Sequence, residues 1–298
     1  MRVSHAEIVD RLAGMGGTIA LLGGIDTGKT TFGLSLAESG RARGMRVAYV
    51  DTDLGQPTVG PPTCVGLKFC HDLEHVEPAT VGRADVLSFV GSLAPQGHHV
   101  SLVAGTARLV NEARRAGCEL VVVDTSGYIS GVQAELLKYH KLELIRPDIV
   151  VGFQRGEELE PILQSVRRFL PTDVISLRVE ASVAERSVEH RLAYREEQFR
   201  SYFEPPLSTW RVKTTVFMPT LPPDIDLALL DHLVVGVEDG AGMCLGIGML
   251  ECEKVEGVLR MVSSVKDPVK GLRLGTTKIT TEGRVLGRVS YRELFGAQ

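Results

Sequence analysis

The run Gly23-Gly24-Ile25-Asp26-Thr27-Gly28-Lys29-Thr30-Thr31 matches the pattern GxxxxGK[ST] at every fixed position. The chemistry of that spacing is phosphate binding. Glycines let the backbone curl so that successive N–H groups point inward at an anion, and the helix that follows adds its positive N-terminal end. A lysine at position 29 reaches the β- and γ-phosphates, and a threonine hydroxyl at position 30 is a Mg²⁺ ligand. The residues Gly23 to Thr31 are therefore the expected nucleotide-binding set. An apolar run, Thr18–Leu22, enters the loop, and a stretch with helical spacing, Thr30–Arg43, leaves it.

A phosphate loop needs acidic partners at the carboxyl ends of neighbouring strands. Two positions qualify. Asp51-Thr52-Asp53-Leu54-Gly55-Gln56 follows a strand-like run ending at Val50, and Asp124-Thr125-Ser126-Gly127 follows a valine-rich run ending at Val123. Both aspartate groups compete for the metal and base roles, with Thr30, Asp53 and Asp124 as the candidate metal set. The second group also reads DxxG, a pattern that nucleotide switches place near a γ-phosphate. The chain has no NKxD motif, so strict guanine specificity is not expected. A second lysine early in the loop, as in ParA-like ATPases, is also missing.

Four arginines, Arg186, Arg191, Arg195 and Arg200, fall in a polar stretch with helical propensity. Arg191 and Arg195 are four apart and share a face. Arginines that close over a nucleotide stabilise the spread charge of a transferring phosphoryl group.

The elements that must position these groups read as strand, loop and helix in alternation. Helical spacing is expected over His99–Ala116, Val132–Ile145 and Glu157–Phe169, with short apolar strands at Glu119–Val123, Asp148–Phe153 and Asp173–Val179. The expected fold class is α/β: a P-loop NTPase-type parallel sheet with helices on both faces. Beyond Pro205-Pro206 the pattern turns to short alternating runs rich in Val, Gly and Thr, which implies a smaller β-rich C-terminal domain. The expected division is an N-terminal helix at 1–17, a phosphate-loop domain at 18–204 with an arginine lid at about 182–203, and the β-rich domain at 205–298.

Composition narrows the partners. The 298 residues are 44% hydrophobic and 23% charged, ordinary for a protein that buries a core. The net charge of −4 argues against coating nucleic acid by bulk charge, so any such contact is local. Residues 254–298 hold nine Lys/Arg against four Asp/Glu, a local basic surplus. Five cysteines with no CxxC pair fit a reducing cytoplasm, and no apolar run is long enough for a membrane helix.

Three groups of residues together resemble the polynucleotide 5′-hydroxyl kinase family, which includes the kinase subunit of the eukaryotic pre-mRNA cleavage complex, the nucleolar pre-rRNA-processing kinases, and shorter archaeal and bacterial members. The resemblance runs from about Thr18 to Phe203. Its most specific part is Asp51-Thr52-Asp53-Leu54-Gly55-Gln56-Pro57 followed by Pro61-Pro62, similar to the family's acidic-x-Asp-x-Gly-Gln motif. Thr125-Ser126-Gly127-Tyr128 is similar to its Thr-x-Gly-Trp clasp, with tyrosine where tryptophan is usual. Val183-Ala184-Glu185-Arg186-Ser187, with Arg191 and Arg195, is similar to its arginine lid. Thr63 stands where the family tends to glycine.

The resemblance implies that Asp53 accepts the proton of an attacking 5′-hydroxyl. It implies that Gln56, Thr125, Gly127 and Tyr128 hold the 5′ end of the acceptor strand, and that Arg186 and Arg191 cover the phosphates, with Arg195 as a third. Lys29, Asp53, Arg186 and Arg191 are then the catalytic set. The implied reaction is in-line transfer of the γ-phosphate of ATP or GTP, with Mg²⁺, to the 5′ end of RNA or DNA. The rival reading, carried by Asp124–Gly127, is a nucleotide switch or assembly factor that hydrolyses without transferring.

Overall fold

The computed structural model describes residues 4–180, 183–253, 258–266 and 269–296. Parts of the expected N-terminal helix (1–3), the lid (182) and the basic C-terminal stretch (254–257, 267–268) lie outside the described residues.

The chain opens with helix α1 (His5–Met15), capped by Ser4, whose side chain accepts from the Glu7 N–H while Glu7 accepts from the Ser4 N–H. Strand β1 (Gly17–Gly23) feeds the phosphate loop, and α2 (Lys29–Ala42) leaves it. There follow β2 (Val47–Thr52), β3 (Cys64–Phe69), the short α3 (Pro78–Val81), β4 (Val86–Phe89), α4 (His99–Arg115) and β5 (Leu120–Thr125). Next come α5 (Val132–Ile145), β6 (Ile149–Gln154), α6 (Glu160–Phe169), β7 (Asp173–Arg178) and α7 (Val188–Tyr202). The C-terminal part is β-rich: β8 (Ser208–Arg211), β9 (Phe217–Met218), β10 (Leu233–Glu238), β11 (Cys244–Glu253), β12 (Val258–Ser263), β13 (Gly271–Ile279) and β14 (Val285–Arg288), ending in α8 (Tyr291–Phe295).

Strands β2, β5, β1, β6 and β7 lie side by side in parallel. Their side chains alternate between two cores. Ala20, Leu22, Val121, Val123 and Val150 face α4, α5 and α6, whereas Ile19, Leu21, Leu120, Val122 and Val151 face α1 and α2. Burial on both faces is why the inner strands β5, β1 and β6 are almost continuously apolar, whereas the edge strand β7 is partly exposed and mixed in sequence. The sheet does not stay parallel. β3 and β4 pair antiparallel beyond β2, and β4 then meets β11 at Leu87 and Cys244. The β-rich part therefore continues the same sheet, through β11, β10, β13 and β14, where the apolar-strand pattern alone leads one to expect a parallel sheet and a smaller β-rich domain after it.

Helix α7 spans this junction. At its C-terminal end Phe199 and Phe203 are buried among Val234, Ile247 and Met249. The Ile247 N–H donates to the Tyr202 hydroxyl at 2.9 Å, and Arg200 Nε donates to the Glu282 carbonyl. Arg186 precedes the helix instead of lying within it, because Ser187 caps the first turn by accepting from the His190 N–H. A common helical face for Arg186 with Arg191 and Arg195 therefore does not exist.

Candidate phosphate and acceptor site

The phosphate loop is shaped by its backbone. Gly28 closes it at φ 82°, in the left-handed region open to glycine, and starts α2. Asp26 also has positive φ, at 50°. Lys29 is buried within the loop, donating to the Gly24 carbonyl and to Thr27 Oγ1 at 3.2 Å. Burial pulls its amine below the usual lysine range, against the opposing carboxylates of Asp124, Asp53 and Asp26.

Asp124, at the end of β5, accepts on Oδ2 from the Thr30 hydroxyl at 2.6 Å and from the Tyr49 hydroxyl at 3.0 Å. Its other oxygen, Oδ1, is buried without a hydrogen-bond partner. Burial raises the Asp124 carboxyl, and Lys29 and Thr30 draw it back down. One threonine hydroxyl beside one carboxylate with a spare oxygen suits Mg²⁺, which takes most of its ligands from phosphates and water. Asp53 is the next carboxylate of the cluster.

The two aspartates on either side of Thr52 divide the work. Asp51 is buried and binds backbone: it accepts from the N–H groups of Asp53, Thr58 and Val59, folding the loop back on itself. Burial, and then the neighbouring Asp124, push its carboxyl well above the usual range. Asp53 uses Oδ1 to accept from the N–H groups of Gly55 and Gln56, and among the described residues Oδ2 carries no hydrogen bond. Asp53 lies near enough to Lys29, Lys141 and Arg195 to support the protonation of all three. Gln56 Nε2 and Ser126 Oγ are buried without partners. Thr63 takes φ 73°, in the left-handed region that glycine enters with less strain than threonine.

The segment Thr125–Tyr128 lies directly on the phosphate loop. A Cβ on Gly127 would come within 2.5 Å of Ile25 Cγ1 and 2.6 Å of its backbone nitrogen. Only glycine permits that approach. Tyr128 is half-buried, with its ring centroid 6.5 Å from that of His99. The Thr125 hydroxyl points inward: it donates to the Leu21 carbonyl at 2.7 Å and accepts from Lys138 at 2.8 Å.

The arginines close the other side. The Arg186 N–H donates to Asp26 Oδ2 at 2.9 Å, and Arg191 donates to the same oxygen at 3.3 Å. Arg195 donates through Nε to the Gly55 carbonyl at 3.0 Å, and the Tyr194 hydroxyl donates to the Pro57 carbonyl at 3.0 Å. Arg200 lies a turn beyond, on Glu197 and Glu282, away from this cleft.

Residue patterns alone miss Lys138 and Lys141, whose amines end beneath the site. A signal was present. Both fall on the apolar stripe of α5 with Ala134, Leu137, Leu142 and Ile145, where a solvated lysine does not belong.

Comparison with known proteins places this geometry. A polyribonucleotide 5′-hydroxyl-kinase of Thermococcus kodakarensis is 28% identical over 330 residues, covering 93% of this chain and 92% of that protein. One from Methanocaldococcus jannaschii is 27% identical, covering 90% of this chain and 89% of its own length. Polyribonucleotide 5′-hydroxyl-kinase Clp1 of Rattus norvegicus is 28% identical over 196 residues, 63% of this chain and 45% of that protein. Among solved structures, the Clp1p–Pcf11p complex shares the fold at a TM-score of 0.69 and 14% identity, covering 92% of this chain and 77% of that one. Residues 23–205, from the phosphate loop to the end of the arginine helix, match the mRNA cleavage and polyadenylation factor CLP1 P-loop family, and the chain belongs to that family.

Proposed function

We propose that this protein is a polyribonucleotide 5′-hydroxyl kinase, transferring the γ-phosphate of ATP to the 5′-hydroxyl end of RNA. The observation that carries the reading is the reach of α7. Arg191 meets Asp26 of the phosphate loop, and one turn on Arg195 meets Gly55 of the turn that holds Asp53. One helix thus braces the donor side and the hydroxyl-activating side of a single cleft. A hydrolytic switch has no need of such a brace. The names of the archaeal relatives, which match over nearly their whole length, support the same reading.

In this reading Gly23–Thr31 hold the triphosphate. Lys29 exchanges its loop oxygens for phosphate oxygens. Thr30 and Asp124, with Asp53 close by, would hold Mg²⁺, which when bound neutralises charge on the phosphates. The acceptor end lies along Gly127, Tyr128 and Gln56, whose free Nε2 is a ready donor. Thr125 serves through its backbone, its hydroxyl being engaged inside. Asp53 Oδ2 takes the proton of the 5′-hydroxyl as its oxygen attacks phosphorus, and the bond to the leaving diphosphate oxygen breaks in line. Arg186 and Arg191 stabilise the equatorial charge. Positioning and electrostatics suffice, without a covalent enzyme intermediate. The phosphate loop reads phosphates rather than the base, and without an NKxD motif strict GTP specificity is not expected.

The test is transfer of labelled γ-phosphate from ATP, and separately from GTP, to a short 5′-hydroxyl RNA and its DNA counterpart, with Lys29→Ala as control. Transfer that disappears in the control supports the kinase. Hydrolysis without transfer would replace it with a nucleotide switch.

A further inference from the structure

Helix α5 buries two lysines that no phosphate-loop, clasp or lid pattern contains. Lys138 is 0% exposed and Lys141 1% exposed, on a stripe otherwise apolar. Taking an ammonium out of water costs several kcal/mol unless it is well bonded. A leucine in either place would fill the stripe without that cost.

Both amines end on threonine hydroxyls at the active ends of neighbouring strands. Lys138 Nζ donates to Thr125 Oγ1 at 2.8 Å and to the Ser126 carbonyl at 2.7 Å. Lys141 Nζ donates to Thr52 Oγ1 at 2.8 Å. Each hydroxyl passes its own proton inward, Thr125 to the Leu21 carbonyl and Thr52 to the Asp124 carbonyl at 3.0 Å. Thr52 and Thr125 are register partners on β2 and β5. Thr52 sits between Asp51 and Asp53, and Thr125 opens the turn that rests on Ile25. The amines therefore grip the two strand ends from below, one under each half of the cleft.

We propose that Lys138 and Lys141 are positioning residues for phosphoryl transfer, Lys138 setting the acceptor turn Thr125–Tyr128 and Lys141 setting the turn that carries Asp53. The proposal rests on the kinase reading above. Neither amine touches reacting atoms; each acts through a threonine. Asp53 is the foremost opposing charge that supports the ammonium of Lys141 against burial, so the amine and the base belong to one electrostatic unit.

The experiment uses the full chain carrying Lys138→Met, Lys141→Met and their arginine counterparts. It reads melting temperature, Kd for a fluorescent ATP analogue, and kcat and KM for a 5′-hydroxyl oligoribonucleotide. Lys138→Met is expected to raise acceptor KM about tenfold with kcat little changed, as removal of a support beneath a binding group does. Lys141→Met is expected to lower kcat about tenfold with KM little changed. Nucleotide Kd stays within about twofold in both, because the phosphate loop keeps its own bonds. Should the methionine variants fail to fold, Thr125→Val and Thr52→Val must give the same split, with Thr125→Ser and Thr52→Ser restoring it. Unchanged kcat and KM, or losses that fall equally on nucleotide Kd, KM and melting temperature, would overturn the proposal. A wild-type chain that transfers no phosphate would instead remove the kinase reading, an outcome seen before any variant is made.

Discussion

The Thr30 hydroxyl donates to Asp124 Oδ2 at 2.6 Å, tying the first turn of α2 to the end of β5. Because Tyr49 donates to the same oxygen, that carboxylate is held from two sides while Oδ1 stays free. In the proposed reading, the position of one metal ligand is thus fixed by the protein alone. Tyr49→Phe removes one holder in a fully buried place, and a loss of about 1 kcal/mol in stability is expected. Urea unfolding of the two proteins measures it, and Mg²⁺ titration of the transfer rate should show a weaker apparent affinity.

Lys29→Ala is expected to lower transfer by at least about 10²-fold, the scale for one removed charge-stabilising donor. The amine is buried among loop oxygens, so the substitution also leaves the Gly24 carbonyl and Thr27 without their partner. Single-turnover transfer at saturating ATP separates the chemical loss from weaker nucleotide binding.

Asp53→Asn keeps an oxygen for the Gly55 and Gln56 N–H groups but cannot take a proton. Turnover should fall by about 10²–10⁴-fold, the range for a lost general base. Nucleotide Kd should hardly move. Full turnover in the variant would pass the base role to Asp124.

Gly127→Ala places a methyl group against the backbone of Ile25. Backbone cannot yield as a side-chain tip does, so the expected cost is about 1–3 kcal/mol. The acceptor turn and the phosphate loop should be pushed apart together. Isothermal titration with ATP and acceptor KM are both expected to worsen, a pattern unlike that of Asp53→Asn.

Burial brings the Lys141 amine down to about 7 from a value near 10.5. Below pH 7 both folded and unfolded chains carry the proton. Between about 7 and 10.5 the unfolded chain binds it more strongly, so folding gains stability as pH rises through that window. Lys141→Met removes this contribution. Subtracting the variant's unfolding free energy from that of the wild type, at pH 6.5 and pH 9.5, should give a difference that grows with pH. A difference that stays flat would mean that Lys141 is not held in this way.

Fixed spacing made the phosphate loop legible in the sequence and strand patterning the two aspartate strand ends, since each depends on local backbone chemistry; the DxDxGQ turn was legible through the family resemblance. Helix limits such as Val132–Ile145 were legible for the same reason: the apolar period is local. Pairing between distant strands was not. Nothing in Cys64–Phe69 or Val86–Phe89 announces that they run antiparallel and carry the sheet across to Cys244. Arg186 was assigned to the helix because its neighbours have helical propensity; the cap at Ser187 starts the helix just beyond it. Lys138 and Lys141 were passed over because lysine is ordinarily read as surface, although the stripe they occupy says otherwise.

The rooting of α7 bears on how product leaves. Phe199 and Phe203 are buried against the β-rich part, and exposing a buried phenylalanine costs about 1.5–3 kcal/mol each. Swinging the whole helix aside would expose both at once. Releasing Arg186 and Arg191 from Asp26 breaks only polar contacts, at a half-exposed Arg186 and a partly exposed Arg191. The cheaper path is to unwind the first turn after Ser187 while the far end stays clamped. In the proposed reaction the exit of a diphosphate and a newly phosphorylated strand then depends on fraying of that short segment, so a bolt across that one turn would trap product without altering a single group assigned to the chemistry.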